Sequence, residues 1–186
     1  MTETVAGADQ SKSEGQKWPG AGDHAIFWSI VVVGIVADLW SKWAVFKWLQ
    51  GMAYNEKIFV EGYFSFVTAL NNGAAFSIMA GKQPVLIAVS AVAMVAVVCI
   101  FLFGKIMHKT MVVSLGLFMA GIVGNLYDRV TTGQVRDFID VHYKEVYHWP
   151  AFNVADSMLC TAVGLMIIMQ IVTACQKSDH PQKSEP

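Results

Sequence analysis

Residues Gly121 to Asp156 read GIVGNLYDRV TTGQVRDFID VHYKEVYHWP AFNVAD, and their reading decides the fold. An apolar segment ends in Asn125, Asp128 and Arg129, a polar excursion carries Asp137, and a second apolar segment opens on Asn153 and Asp156. Two long apolar segments joined by such an excursion form a hairpin, so the end of one lies at the depth where the next begins. Asp137 and Asp156 then come within reach of each other although 18 residues lie between them. Two carboxylates so placed, at the border of a bilayer, are a candidate acid/base pair.

Composition supports the membrane setting. The chain is 55% hydrophobic and only 15% charged, where a soluble domain carries about 25% charge. A net charge of -1 with no basic run excludes the electrostatic footprint of a nucleic-acid-binding protein. Cys99, Cys160 and Cys175 are an odd, scattered set inside apolar segments, which reads as buried apolar cysteine and neither a disulfide framework nor a metal site.

Residues 1–24 are polar and aperiodic and read as a disordered tail. They do not read as a cleavable signal peptide, because the tail is mixed in charge and the apolar run behind it is too long. A four-span body is expected over 25–175, with spans at about 25–49, 84–103, 110–126 and 153–174, an exterior loop at 50–83, and a polar tail at 176–186. Single spans are helical because lipid offers the backbone no other partner. The expected fold class is therefore an all-α, four-helix transmembrane bundle. Within loop one, Lys57 to Leu70 is rich in β-branched and aromatic residues around Glu61-Gly62, which predicts two short strands before the Asn72-Gly73 turn. Gly116, Ala120 and Gly124 recur every four residues, a small-residue stripe for close helix packing.

Four spans put both termini on one side, and Lys105, Lys109 and Lys177 favour the cytoplasm for that side. The ends of spans one and three and the start of span four then share the opposite face. Asp38 and Lys42, Asn71 and Asn72, Asn125, Asp128 and Arg129, and Asn153 and Asp156 all gather there. Asp38 and Lys42 have the i,i+4 spacing of an ion pair, and a supporting pair is favoured over a direct chemical role. Two neighbouring carboxylates cannot both ionise cheaply, so one keeps a proton near neutral pH. The ionised partner can then activate water while the protonated one donates to a carbonyl. Asp156 as a helix cap and Asp137 as the cap of a short surface helix are the competing readings, and spacing alone does not separate them. Arg129 can form an interfacial pair with Asp128 or reach a substrate carbonyl. His142, Glu145 and His148 recur every three residues, yet HExxH is absent. The aromatic neighbours Tyr143, Tyr147 and Trp149 suggest a short interfacial helix and no metal site.

Five motifs in order resemble the lipoprotein signal peptidases, the signal peptidase II family: Asp38-Leu-Trp-Ser-Lys42, Asn71-Asn-Gly-Ala-Ala-Phe76, Gly124-Asn-Leu-Tyr-Asp-Arg129, Val135-Arg-Asp-Phe-Ile-Asp140 and Phe152-Asn-Val-Ala-Asp-Ser157. Leu39 and Ser41 stand where the family usually has Gln and Thr. The resemblance implies an aspartic endopeptidase of the bacterial inner membrane that cuts diacylglyceryl-modified prolipoproteins before the lipidated cysteine. It implies catalytic Asp137 and Asp156, substrate-binding Asn71, Gly73, Asn125, Arg129 and Asn153, and supporting Asp38, Lys42 and Asp128. By the same resemblance loop one is an extracytoplasmic β-cradle with a lid, the active site lies near the outer leaflet, membrane lipid is a partner, globomycin-type inhibitors occupy the groove, and no cofactor is needed. The competing class is a small proton-coupled carrier, which also uses intramembrane acids. It is expected to show mid-bilayer charges and an internal repeat, and the sequence has neither.

Overall fold

A computed structural model of the chain describes residues 18–73, 81–104, 108–144 and 146–179. Most of the expected N-terminal tail, Ala74 to Phe76 of the second motif, part of the expected lid, Lys105, Glu145 and the end of the C-terminal tail lie outside the described residues.

Among the described residues four helices are long and apolar enough to cross a membrane: α1 (Ala21–Leu49), α2 (Gln83–Phe103), α3 (Lys109–Thr132) and α4 (Val154–Asp179). α1 begins inside the stretch expected to be tail, and α3 continues past the expected end at 126. Its last turns are polar, so hydropathy marks where the lipid stops and not where the helix stops. Gly133, at φ 77°, ends α3 in the left-handed conformation that glycine adopts without strain. α3 is the central helix: 56% of its most apolar stretch is buried, against 22%, 17% and 11% for α1, α2 and α4. Phe27, Val31, Val97, Phe101, Val112, Leu115, Met119 and Ile122 form the core, with the Phe27 and Phe101 rings stacked at 4.0 Å. The apolar side chains left uncovered on α1, α2 and α4, such as Val32, Val36, Val92, Ile168 and Ile171, suit a lipid solvent. Cys99, Cys160 and Cys175, expected in the core, are free and exposed on these outer faces.

The small-residue stripe of α3 packs on α1 in a fixed register. Lys109 meets Asp23, Gly116 meets Ile30, Ala120 meets Gly34, Gly124 meets Asp38 and Asp128 meets Lys42, each pair 86 positions apart. A constant offset means that the two helices run parallel, crossing the bilayer in the same direction. A Cβ on Gly34 would lie 2.6 Å from that of Ala120, and one on Gly124 would collide with the Asp38 carboxylate. The stripe thus lets α3 come close enough for the polar ends of both helices to touch.

Loop one forms the expected hairpin, β1 (Glu56–Val60) and β2 (Phe64–Asn71). The excursion between α3 and α4 is extended: β3 (Val135–Tyr143) and β4 (Tyr147–His148) complete a four-stranded antiparallel sheet in the order β1-β2-β3-β4. The expected interfacial helix is therefore not found among the described residues. Its segment carries the β-branched and aromatic residues of a strand, and the free edge of β2 gives β3 a ladder to join. Register places Asn71 opposite Val135, Ala69 opposite Asp137 and Ser65 opposite Asp140.

Candidate active site

Five elements converge at the sheet-bearing end of the bundle. α1 brings Asp38 and Lys42, which are fully buried. The Lys42 Nζ donates to Asp38 Oδ2 at 2.7 Å and to Asn125 Oδ1 at 3.0 Å, and lies 3.3 Å from Asp128 Oδ2. The other Asp38 oxygen accepts the backbone N–H of Ala155 at 2.8 Å, tying α1 to the first turn of α4. Asp128 receives Arg136 three times: from the backbone N–H at 3.0 Å, from Nε at 3.2 Å and from a terminal guanidinium nitrogen at 2.6 Å.

Beside this charged cluster stand Asp137 and Asp156, held by amides. Asn153 Nδ2 donates to Asp137 Oδ1 at 2.6 Å and Asn71 Nδ2 to Asp137 Oδ2 at 3.1 Å. Asn125 Nδ2 donates to Asp156 Oδ1 at 2.8 Å, while Asn125 Oδ1 accepts from Asn153 Nδ2 at 3.1 Å. The two carboxylates are thus joined by a continuous amide chain, Asp137–Asn153–Asn125–Asp156. Asn153 and Asp156 also form a reciprocal cap on α4, Asp156 N–H to Asn153 Oδ1 at 3.0 Å and Asn153 N–H to Asp156 Oδ2 at 3.2 Å. Asp156 therefore caps α4 with one oxygen and faces Asn125 with the other. Asp137 caps no helix; it sits on β3.

Asp137 is 2% exposed. Burial first, and then the neighbouring Asp156 charge, push its carboxyl up to about 7 against the opposing pull of the Asn71 and Asn153 amides. Arg129 lies within electrostatic reach of Asp156, Asp137 and Asp128. One of its terminal nitrogens donates to the backbone carbonyl of Gly73 at 3.1 Å, while its buried Nε has no partner among the described residues. Gly73 N–H in turn donates to Asn71 Oδ1 at 2.9 Å. Asn71, Gly73, Asn125, Arg129, Asn153, Asp38, Lys42 and Asp128 therefore join one polar network around Asp137 and Asp156. Asn72 contributes backbone: its carbonyl accepts the Gln83 side chain at 2.8 Å and the Gly81 N–H at 3.1 Å.

The residue that sequence reasoning missed is Arg136. On a helix Arg136 would point away from its neighbour Asp137, and the sequence alone assigns it no partner; a strand also sends neighbours to opposite faces, so Arg136 reaches Asp128 while Asp137 turns to the asparagines. An apolar helix ending on a buried aspartate called for a second cation, and the following strand supplies it.

Chemically, the cluster offers a carboxyl that holds its proton near neutrality, an adjacent carboxylate, and a guanidinium with an unspent donor already engaged with a peptide carbonyl. A sequence profile described as Signal peptidase (SPase) II matches residues 30–172. The chain is 40% identical over 152 residues to a lipoprotein signal peptidase of Geobacter metallireducens, covering 80% of this chain and 92% of that one. It is 34% identical over 170 residues to one of Rhodopirellula baltica, covering 84% and 75%. A solved structure described as a bacterial membrane enzyme superposes with a TM-score of 0.70 at 26% identity, over 92% of this chain and 98% of that one.

Proposed function

The chain belongs to the signal peptidase II family, and from that premise we propose that Asp137 and Asp156 are its catalytic pair. The protein is an aspartic peptidase of the membrane that removes signal peptides from prolipoproteins. The carrier alternative is not favoured, since the matched profile and relatives are peptidases. One observation carries the assignment of the pair: two acids remote in sequence are linked through Asn153 and Asn125, and the charge of one helps hold a proton on the other.

With one proton between them, the ionised carboxylate takes a proton from water as its oxygen attacks the scissile carbonyl carbon. The protonated carboxyl donates to the carbonyl oxygen, giving a tetrahedral gem-diol. Collapse breaks the C–N bond as a proton passes to the leaving nitrogen, and the pair returns to its single-proton state. Acid and base are therefore roles of the dyad and not of either residue alone. Arg129 is suited to orient the substrate backbone, because it already holds the Gly73 carbonyl and has a donor to spare. Asn71, Gly73, Asn125 and Asn153 line the groove, and Asp38, Lys42 and Asp128 fix the helices behind it.

The substrate class is the diacylglyceryl-modified prolipoprotein, cut before the lipidated cysteine. Its acyl chains, worth about 0.8 kcal/mol per buried methylene, keep it in the bilayer, so the carboxylates must stand where the peptide leaves the lipid. α1 to α4 with their sheet form one catalytic membrane domain of the bacterial inner membrane. Both termini face the cytoplasm, as Lys109 on the opposite end from the site supports. The sheet is then an extracytoplasmic cradle near the outer leaflet, and globomycin-type inhibitors compete for its groove. The test is cleavage of a lipid-modified prolipoprotein, read as a gel shift. Asp137→Asn and Asp156→Asn are each expected to abolish it in a protein that still inserts and folds; near-normal turnover by either variant would overturn the assignment.

A further inference from the structure

The β3–β4 hairpin carries a second polar cluster that the peptidase chemistry does not use. Asp140 and His142 are two residues apart on β3 and share a face, and His148 of β4 stands directly across from His142. The Asp140, His142 and His148 donor atoms all lie within 4.8 Å of one another. Asp140 Oδ2 and His142 Nδ1 are 2.8 Å apart, and the His142 and His148 rings stack at 5.0 Å with 20° between their planes. The side chains of His142 and Asp140 are only 12% and 16% exposed, while His148 lies open to solvent above them. Ser65 on β2 donates to Asp140 Oδ2 at 3.2 Å and so orients the carboxylate from behind.

We propose that Asp140, His142 and His148 form a binding site for a divalent first-row transition cation of the zinc class. Two imidazoles and one carboxylate are the donor set such ions favour over magnesium or calcium. Tetrahedral ligands about zinc stand about 3.3 Å apart, given metal–ligand bonds of about 2.0–2.1 Å. To reach that spacing the Asp140 and His142 donors, now 2.8 Å apart, would open by about half an ångström and the exposed His148 side chain would rotate inward, with water completing the shell. Ser65 supplies the outer hydrogen bond that fixes a ligating carboxylate. Glu145 of the every-third-residue set lies outside the described residues; among those described, the hairpin unites 140, 142 and 148.

The cation's work is structural. β4 is two residues long, too short to hold a hairpin firmly by its own ladder. Beyond it the chain returns to β3, where Phe152 exchanges hydrogen bonds with Ile139 at 2.9 and 3.0 Å, and then enters Asn153 and α4. A metal clamp across His142 and His148 would pin this return and steady the start of α4. Asp140 lies three residues, about 10 Å, along the strand from Asp137, so the ion does not touch the scissile bond.

The test uses the full chain in detergent micelles with zinc as the sole probe, titrated against a chelating dye and followed by thermal unfolding. One equivalent is expected to bind with micromolar or tighter affinity and to raise the unfolding temperature. His148→Ala is expected to weaken binding by at least about tenfold and to remove the thermal shift, while leaving zinc-free unfolding and prolipoprotein cleavage unchanged. His148→Gln, closer in size and polarity, is the second variant and is expected to behave the same way. Absence of saturable binding by the wild-type chain overturns the proposal. So does zinc binding that persists unchanged in both variants, since the ion would then be held elsewhere.

Discussion

Asp38 and Asp128 are met by Lys42 and Arg136, whereas Asp137 and Asp156, at the same end of the same bundle, are met by Asn71, Asn125 and Asn153. The first cluster sets two acids against two cations, and its charge cancels at a largely buried place: Asp38, Lys42 and Asp128 are all 0% exposed, and Arg136 is partly exposed. The second has donors but no ion pair among the described residues. An amide steadies a carboxylate without neutralising it, so two acids sharing amides still repel and retain a proton. The partner, more than the aspartate, decides whether a buried acid is architecture or chemistry. Asn125 belongs to both clusters, accepting from Lys42 and donating to Asp156, and so transmits the rigidity of one to the geometry of the other.

The sharpest way to break this contrast is to make the same substitution on both sides. Asp156→Asn is expected to lower the cleavage rate by at least about a thousandfold with little change in unfolding temperature, because it removes a repulsive charge and keeps a capping oxygen. Asp128→Asn is expected to do the reverse, leaving Lys42 and Arg136 short of a counter-charge and lowering stability before chemistry. Equal losses of both kinds in both variants would dissolve the distinction.

Next in size is Lys42→Met. Removing one partner of a buried ion pair costs about 3–5 kcal/mol, because the remaining charge is stranded. Asp38 would lose its cation, while Asp128 keeps Arg136. Unfolding of the purified protein in detergent should record the loss, and adding Asp38→Asn should recover a good part of it. A variant as stable as the wild type would mean that the pair is not holding α1 in place.

Much of this arrangement is legible in the sequence. Bilayer-length apolar runs point to the four long apolar helices, and Asp38 and Lys42 announce their pairing through i,i+4 spacing. A hairpin of spans sets Asp137 and Asp156 at one depth, and Asn153 and Asn125 link them there. What sequence withheld is the partner of β3. With Asp137 as a cap and Tyr143, Tyr147 and Trp149 as interfacial aromatics, the excursion reads locally as a short surface helix, whereas the free edge of β2, 64 residues or more upstream, gives it a ladder as a strand. Arg136 and the Asn71–Asp137 contact follow from that long-range pairing, and the Asp140–His142–His148 cluster from the short β3–β4 ladder beside it, so none of the three meets by helical spacing. The continuation of α3 to Thr132 escaped for a different reason: its polar end is stabilised by protein and not by lipid.

The pH dependence sharpens the contrast further. Asp137, pushed up to about 7, is protonated below that pH and ionised above it. Asp137 therefore carries the pair's donor proton on the acid side of about 7 and loses it as pH rises through that value. Log kcat/KM, which reports the free enzyme, should bend near pH 7 and then fall about tenfold per unit. Activity level from pH 6 to 9 would show that neither acid needs its shared proton.

The smallest effect isolates a single amide. Asn71 donates to Asp137 Oδ2 at 3.1 Å, which favours the ionised form and opposes the upward push of burial. A hydrogen bond of this kind is worth about 0.5–1.5 kcal/mol, and one pKa unit corresponds to about 1.36 kcal/mol. Asn71→Ala should thus move the alkaline bend of kcat/KM upward by about half to one pH unit. The sign matters more than the size. Loss of substrate contacts alone would lower kcat/KM at every pH and leave the bend where it was, whereas loss of a donor to the carboxylate must displace the bend toward alkali. A bend displaced toward acid would mean that Asn71 steadies the protonated acid, and the amides would then be proton keepers in place of the carboxylate's counterweight.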